Sequence, residues 1–390
     1  MFNKYFGLKK ISIGKNKNVF VEEKSINDYR NLIFSIQNIP SKNSAEPVDL
    51  GQKFKNLVSI VLVTYNSEIW LDSLIKSINE SEYFIKEVVI VDNGSRDQTI
   101  EIIREEIPNA KLIVNENGRS LASAINLGIH HSSAKFLFII NPDVTFSKKS
   151  LLYLLKKAAT DKGARIVSPK LMLMDNPQFI NGVGNFVGPF YWGYDCGLGH
   201  LDVGQFDEIK TLRSGCFAAI MVPREIIDSV GLVDEAYELY YEDVDWCLRA
   251  RDLGHELFFE PNAIVYHAYI GHQAAKNIIT PNKLLNVTYG RLRLIKKMGD
   301  KQTFIRFLVS YFIFDLLYCG YSLVVFRFKN IKSIIKGWKK FLSEYKEIFS
   351  NPKINNKENL FGKHEKRFFP RVKNGLPVLT SAMIKEGKYQ

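Results

Sequence analysis

Cysteine is scarce in this 390-residue chain: Cys196, Cys216, Cys247 and Cys319 stand far apart with no CxxC spacing. That excludes a disulfide framework and a thiolate metal cluster and fits a reducing compartment. The opening stretch MFNKYFGLKKISIGKNKN carries lysines where a secretion signal needs an apolar run, so a cytosolic location is expected. No Gly-x-Gly-x-x-Gly follows the first regular strand, where TYNSEI stands instead, which argues against a dinucleotide-dependent oxidoreductase. An excess of positive charge is missing from most of the chain. The net charge of +12 comes from residues 291–390, with 22 Lys+Arg against 7 Asp+Glu, while the first 290 residues balance to −3. A chain-wide nucleic-acid surface therefore loses its support, and nucleic acid is not expected as a partner.

What is present is a globular composition, 46% hydrophobic and 13% aromatic. Residues 1–55 read as an appendage: two short strands within 9–23, a short helix at 25–37 and a polar linker at 40–55. From residue 57 apolar runs alternate with helical periods. Strands are predicted at 57–66, 86–95, 110–117 and 135–144, and helices at 67–80, 96–107, 119–133 and 147–159. Buried strands separated by helices of this length form parallel β-α units covered on both faces. Ligands in such sheets bind at the carboxyl ends of the strands, where Thr64, Tyr65, Asn66, Asp92, Asn93, Ser95, Asn115, Asn117, Asn141 and Asp143 gather. The Gly- and aromatic-rich stretch 176–211 lacks a clear period and reads as a long functional loop suited to a sugar. Beyond it come a strand at 213–222, a helix from Pro223, strands HELFFE and AIVYHA, and helical segments at about 281–298, 304–328 and 331–349. The last forty residues read as a loosely ordered basic tail.

The stretch LYYEDVDWCLRARDLGHE places Glu242, Asp243 and Asp245 at a helix start. Asp243 suits an N-cap, and Asp245 suits the first turn with Arg249 four residues on. A catalytic carboxylate fits the same positions. Asp143 after Asn-Pro reads equally as a turn residue or a metal ligand, Asp92-Asn93 as an Asx turn or a nucleotide contact, and His267 at a strand end as structural or as a ligand. Arg119, Arg291 and Arg293 are candidate partners of a diphosphate by charge and fork geometry.

Across residues 57 to about 298 the ordered series VSIVLVTYNSEIWLDSLIKSI, VVIVDNGSRDQT, NENGRSLASAINLGI, FLFIINPDV, GVGNFVG, GQFDE, SGCFAAIMVPREIIDSVGLVDEAYELYYEDVDWCLRARDLGHELFFEPNAIVYHAYIGH and YGRLRLIKKMG resembles the family 2 glycosyltransferases of the GT-A fold. The branch it resembles transfers rhamnose or related sugars in bacterial surface-polysaccharide assembly. The resemblance implies an α/β GT-A fold with a Rossmann-like nucleotide-sugar-binding sheet and helices on both faces, to which the helical pattern beyond residue 298 adds a C-terminal membrane-associating region. It implies a nucleotide-sugar site at Thr64, Tyr65, Asn66, Asp92, Asn93, Asn117, Arg119 and Asn141, with Asp92 on the base or ribose. Asp143 in the reduced Asn-Pro-Asp form of the Asp-x-Asp motif, and His267, would hold Mg2+ or Mn2+. Glu242 and Asp243 match the family's Glu-Asp motif, whose Asp is the base. The implied partners are a nucleoside diphosphate sugar and a lipid-linked or oligosaccharide acceptor. A processive synthase would carry Gln-x-x-Arg-Trp and several long apolar spans, and neither occurs. A binding or scaffolding protein without turnover is the alternative, against which the intact Asp143 and Asp243 argue.

These readings divide the chain into an appendage at 1–55, a catalytic unit at 56–298, apolar and amphipathic helices at 299–350 and a basic tail at 351–390. The apolar segment FIRFLVSYFIFDLLYCGYSLVVFRF has the length of a membrane span, but Asp315 interrupts it, on a stripe with Tyr311, Tyr318 and Ser322. The next segment sets Ile331, Ile334, Ile335, Trp338, Phe341, Tyr345 and Ile348 on one face and lysines elsewhere. That pattern fits an in-plane helix on an anionic membrane surface, and equally a core or dimer-forming helix pair. The expected location is peripheral, on the inner face of the cytoplasmic membrane.

Overall fold

The computed structural model describes residues 8–14, 17–22, 56–116, 118, 120–160, 163–187, 193–202, 204–269, 280–348, 371–373 and 376–379. The alternating first half folds as its periodicity predicts. Strand β3 (Val58–Thr64) is buried along its whole length, and so is β6 (Phe136–Ile140). Between them lie α1 (Glu68–Asn79), β4 (Glu87–Asp92), α2 (Thr99–Glu106), β5 (Lys111–Val114) and α3 (Leu121–His131). Strands β3, β4, β5 and β6 pair in parallel because each crossover is a helix. Two apolar layers, one on each face, bury the sheet: Leu71, Leu74 and Ile75 pack on one side and Ile125, Ile129 and Trp246 on the other.

The second half departs from a purely parallel design. After β7 (Val144–Phe146), α4 (Ser150–Ala158) and the short pair β8 (Ala159–Thr160) and β9 (Gly163–Ala164), β10 (Ile166–Leu173) joins the sheet. The chain then meanders through β11 (Asn176–Gly182), β12 (Asn185–Val187), β13 (Gly193–Asp195) and β14 (Thr211–Leu212) before β15 (Ala219–Pro223). Strand β15 runs antiparallel to both β6 and β10. No crossover helix precedes it, so the requirement for a parallel return is absent. The long loop expected at 176–211 is therefore largely hairpins, whose glycines hide the strand alternation.

Helices α5 (Arg224–Val230) and α6 (Glu242–Asp252) follow. The two strands read at HELFFE and AIVYHA are one, β16 (Leu257–His267), which pairs in parallel with β10. Pro261 to Ala263 are absorbed where the register shifts between Pro169, opposite Glu260, and Lys170, opposite Ile264, as a bulge allows.

The C-terminal helices are α7 (Pro281–Met298), α8 (Lys301–Val324) and α9 (Phe328–Glu344). Phe341 and Ile348 of the predicted in-plane helix, with Trp338 packed against them, join one cluster with Leu292, Ile295 and Met298 of α7, and Ile334 is buried as well. Its apolar face is thus spent largely on packing, which corrects the expectation that this face meets lipid; Ile335 and Tyr345 remain exposed. The hairpin expected within 9–23 is β1 (Leu8–Gly14) with β2 (Lys17–Glu22). Strands β17 (Arg371–Lys373) and β18 (Leu376–Leu379) lie within the segment read as a basic tail, and β18 pairs in parallel with β2. The helix read at 25–37 lies outside the described residues.

Helices α7 and α9 approach closely at Gly337, where an added Cβ would lie 2.9 Å from Thr288 Cβ and 3.0 Å from the Leu285 carbonyl oxygen. Gly337→Val should destabilise the protein by about 1–3 kcal/mol through overpacking. An unchanged urea midpoint would show that this approach is not tight.

Candidate active site

A cleft of about 1310 Å³ opens at the carboxyl ends of β3, β4 and β6, bounded on its far side by α6, α7 and α8. Thr64, Tyr65, Asn66, Asn93, Asn141, Asp143, Glu242, Asp243 and His267 all line it. Two expected residues, Asn117 and Arg119, lie outside the described residues. Tyr65 is exposed and Asn66 adopts the left-handed region at φ 46°, its side-chain oxygen accepting the Arg96 N–H at 2.8 Å.

Asp92 is placed differently from its expected role. It is fully buried beneath the cleft and does not line it. One carboxylate oxygen accepts from the backbone N–H groups of Gly94 and Ser95, and the other from the hydroxyls of Thr64 and Ser95. These bonds occupy its acceptor positions, so Asp92 shapes the turn, and a direct contact with base or ribose gives way to the Asx-turn reading. Asn93, the next residue, does reach the cleft, and its side-chain oxygen accepts from Asn115 at 3.0 Å.

The tertiary fold brings Asp143 and His267 together. Asp143 precedes β7, His267 ends β16, and these strands pair so that His267 faces Val144. The Ala268 N–H donates to the Asp143 carbonyl at 2.8 Å, and the side chains meet with His267 Nε2 3.3 Å from Asp143 Oδ2. His267 Nδ1 lies 2.8 Å from Asn181 Oδ1. An oxygen acceptor there calls for a proton on Nδ1 and leaves the Nε2 lone pair toward Asp143, the arrangement typical of a metal-binding histidine. One carboxylate and one imidazole nitrogen at the cleft wall fit a divalent cation that takes its remaining ligands from water and phosphate. No group of three or more His, Cys, Asp or Glu residues suited to a metal occurs among the described residues.

Glu242 and Asp243 open α6, but Asp243 is not its cap. The N-cap is Tyr241 at φ 72°, preceded by Tyr240 at φ 70°. Two consecutive left-handed tyrosines are costly, and such strain persists only where the surroundings enforce it. Here Tyr241 packs against Gly290 of α7 so closely that a Cβ there would lie 2.8 Å from the tyrosine ring. The distorted turn starts the helix two residues earlier than a cap at Asp243 would, so Asp243 lies in its first turn. Its Oδ1 accepts from the Val244 N–H at 2.7 Å and its Oδ2 from Asn185 Nδ2 at 2.6 Å. Burial raises the pKa of both carboxyls, Glu242 more than Asp243, and the Asp243 charge pushes Glu242 up further. Glu242 Oε2 has no hydrogen-bond partner among the described residues. Asp245 differs from its neighbours in being paired. It accepts from Arg249 Nε at 2.9 Å, as the i,i+4 spacing predicts, and from Lys297 Nζ at 2.6 Å.

Other cleft residues were not legible individually. Asn185 and Asp195 face each other across the β12–β13 hairpin and both line the cleft. Burial raises the Asp195 carboxyl, while the His267 and Lys283 charges and a Tyr269 hydrogen bond oppose the rise. Lys283, at the start of α7, is a cleft cation. The glycines around Asn185 were the available signal, but only hairpin pairing reveals which side chains they deliver. The candidate diphosphate arginines are engaged elsewhere: Arg291 borders the cleft but contacts Asp315 and lies over the Tyr311 ring, and Arg293 is held by Asp234 and Glu344.

Residues 59–180 match the family model described as Glycosyl transferase family 2. Over 233 residues the chain is 28% identical to the dTDP-rhamnosyl transferase RfbF of Shigella flexneri, covering 55% of this chain and 70% of that one. Over 237 residues it is 26% identical to the N-acetylglucosaminyl-diphospho-decaprenol L-rhamnosyltransferase of Mycobacterium tuberculosis, covering 54% and 76%. The crystal structure of GalNAc-T7 with UDP, GalNAc and Mn2+ shares the fold at a TM-score of 0.50 and 16% identity, covering 64% of this chain and about half (49%) of that one. Residues 59–180 thus carry a family 2 glycosyltransferase domain on a GT-A-like mixed sheet, and that domain makes the chain a glycosyltransferase.

Proposed function

We propose that the protein transfers rhamnose or a similar sugar from a nucleoside diphosphate sugar to a hydroxyl of a lipid-linked or oligosaccharide acceptor in cell-surface polysaccharide synthesis, with inversion. The observation that carries this reading is Asp243: a buried carboxylate with a raised pKa, lining the same cleft as the Asp143–His267 pair. The acceptor hydroxyl attacks the anomeric carbon as Asp243 takes its proton, and the bond to the diphosphate breaks on the opposite face. A base works best when its pKa approaches the working pH, and burial without a cationic partner moves Asp243 in that direction. Glu242, with the higher pKa, keeps its proton at neutral pH and donates to an oxygen in the cleft. Asp143 and His267 would hold Mg2+ or Mn2+, which neutralises charge growing on the leaving diphosphate. Thr64, Tyr65, Asn66, Asn93 and Asn141 form the nucleotide side of the cleft.

The membrane reading rests on α8. It is 24 residues long and apolar enough to cross a bilayer, yet only 17% of its most apolar stretch is buried. Tyr311, Asp315 and Ser322 face inward, and Asp315 contacts Arg291 and accepts from Trp338 Nε1 at 2.7 Å. The opposite face leaves Phe312, Leu316, Leu317 and Val324 exposed, continuing into Phe326 at 79% exposure. A helix fastened on one side to the catalytic unit cannot be surrounded by lipid, so α8 lies in the membrane surface. Exposed Lys329, Lys332, Lys336 and Lys339 on α9 supply the attraction to anionic headgroups.

Three outcomes test these assignments. Asp243→Asn should lower transfer by about 10²–10⁴-fold with donor affinity and melting temperature little changed. In the wild type the acid limb of kcat/KM should lie well above the ordinary carboxylate value of about 4, because protonated Asp243 accepts nothing; a limb at 4, or near-normal transfer by Asp243→Asn, removes it as the base. Asp143→Asn should abolish stimulation by Mg2+ or Mn2+, and an intact metal response would reject that ligand. The protein should float with anionic liposomes and lose this with Leu316→Glu plus Leu317→Glu. Absence of binding, or protease protection revealing a crossing, would overturn the in-plane reading.

A further inference from the structure

The β12–β13 hairpin does more than wall the cleft. Gly184 holds φ 102°, and a Cβ on it would lie 2.7 Å from Leu212 Cδ1 and 2.9 Å from the Ser214 carbonyl oxygen. Glycine at this position therefore lets the strand close onto residues 212–215, and the Asn185 N–H then donates to the Ser214 carbonyl at 2.8 Å. The side chain is aimed by the same contact. Asn185 Nδ2 reaches Asp243 Oδ2 at 2.6 Å, with the Gly215 carbonyl at 3.4 Å. A residue 58 positions away in sequence is thus delivered to the carboxylate by one left-handed glycine.

We propose that Asn185 is a positioning residue for the reaction: its amide fixes the Asp243 carboxylate in the cleft and holds it in the form that accepts a proton. This rests on the reading of Asp243 as the base. Apart from Asn185 and the backbone N–H groups of Val244 and Phe217, the groups facing Asp243 are unhelpful to a charge. Glu242 precedes it, Asp195 stands across the hairpin from Asn185, and the thiols of Cys216 and Cys247 lie close by. None is a cation. A donated N–H favours the charged carboxylate and opposes the upward push of burial and of the Asp195 charge. Asparagine suits the task because its amide donates without adding a charge of its own. An aspartate there would place a fourth carboxyl beside Asp195, Glu242 and Asp243 and would drive Asp243 toward its protonated form.

The experiment compares pH–rate profiles of wild type, Asn185→Ala, Asn185→Ser and Asn185→Asp with Asp243→Asn as reference, together with donor affinity and thermal melts. Asn185→Ala should move the acid limb of kcat/KM upward by about one pH unit and lower kcat about tenfold, the size expected for a hydrogen bond to a charged group. Donor affinity should stay close to wild type. Asn185→Ser, whose hydroxyl can donate, should recover part of the shift, and Asn185→Asp should move the limb further than alanine does. If Asn185→Ala melts early, the aspartate variant carries the comparison, since it keeps the shape of asparagine and changes only the donor. An acid limb and kcat unchanged in the folded variants, with Asp243→Asn inactive, overturn the positioning role while leaving the base intact. Near-normal transfer by Asp243→Asn fails the base reading itself.

Discussion

The geometry of the site depends on an ionic clamp around one fully buried carboxylate. Asp245 receives Arg249 from its own helix and Lys297 from α7, and Lys297 also binds Asp234. Charges out of water need every partner satisfied, and here two cations and the Tyr237 hydroxyl surround one carboxylate. The clamp ties α6 to α7 and holds the intervening turn against Gly290, which is what forces Tyr240 and Tyr241 into left-handed conformations. From that turn Glu242 and Asp243 face the cleft.

Asp245 and Asp243 lie two residues apart on one helix, and their environments are opposite. Asp245 has cations on both oxygens, whereas Asp243 has an amide and a backbone N–H, with a second carboxyl beside it. Two neighbouring carboxyls without cations push each other's proton affinity up, and burial adds to the effect. Such separation of roles between adjacent acids is how one site obtains both a rigid anchor and a group able to exchange a proton. The energy spent burying Glu242 and Asp243 is offset by packing around them, including Val244 and Tyr241 with Tyr289 and Leu292.

A second buried ion pair joins the catalytic unit to the apolar helix. Arg291 lies in the wall of the cleft, and Asp315 lies on the inward stripe of α8, with Trp338 of α9 completing the contact. Phe314, Asp315 and Tyr318 consequently border the cleft while the other side of the same helix is exposed and apolar. Cleft and apolar face are thus two sides of one element.

Local periodicity and composition determined the parallel β-α first half, the position of the cleft at the strand ends, the i,i+4 pair of Asp245 with Arg249 and the inward stripe around Asp315. These are short-range or single-element properties, in which spacing alone decides which side chains share a face. Tertiary structure alone decided that Asp92 is an internal acceptor rather than a cleft residue, and that the apolar face of α9 packs on α7. It also decided that Tyr241 rather than Asp243 caps α6 and that Asn185 reaches Asp243. Each of these depends on which distant element occupies the space beside a residue, and hydrogen-bond partners separated by dozens of positions leave no period in the chain. Gly184 and Gly290 stand where a neighbour approaches too closely for a Cβ, and only the folded structure shows what each approach brings together.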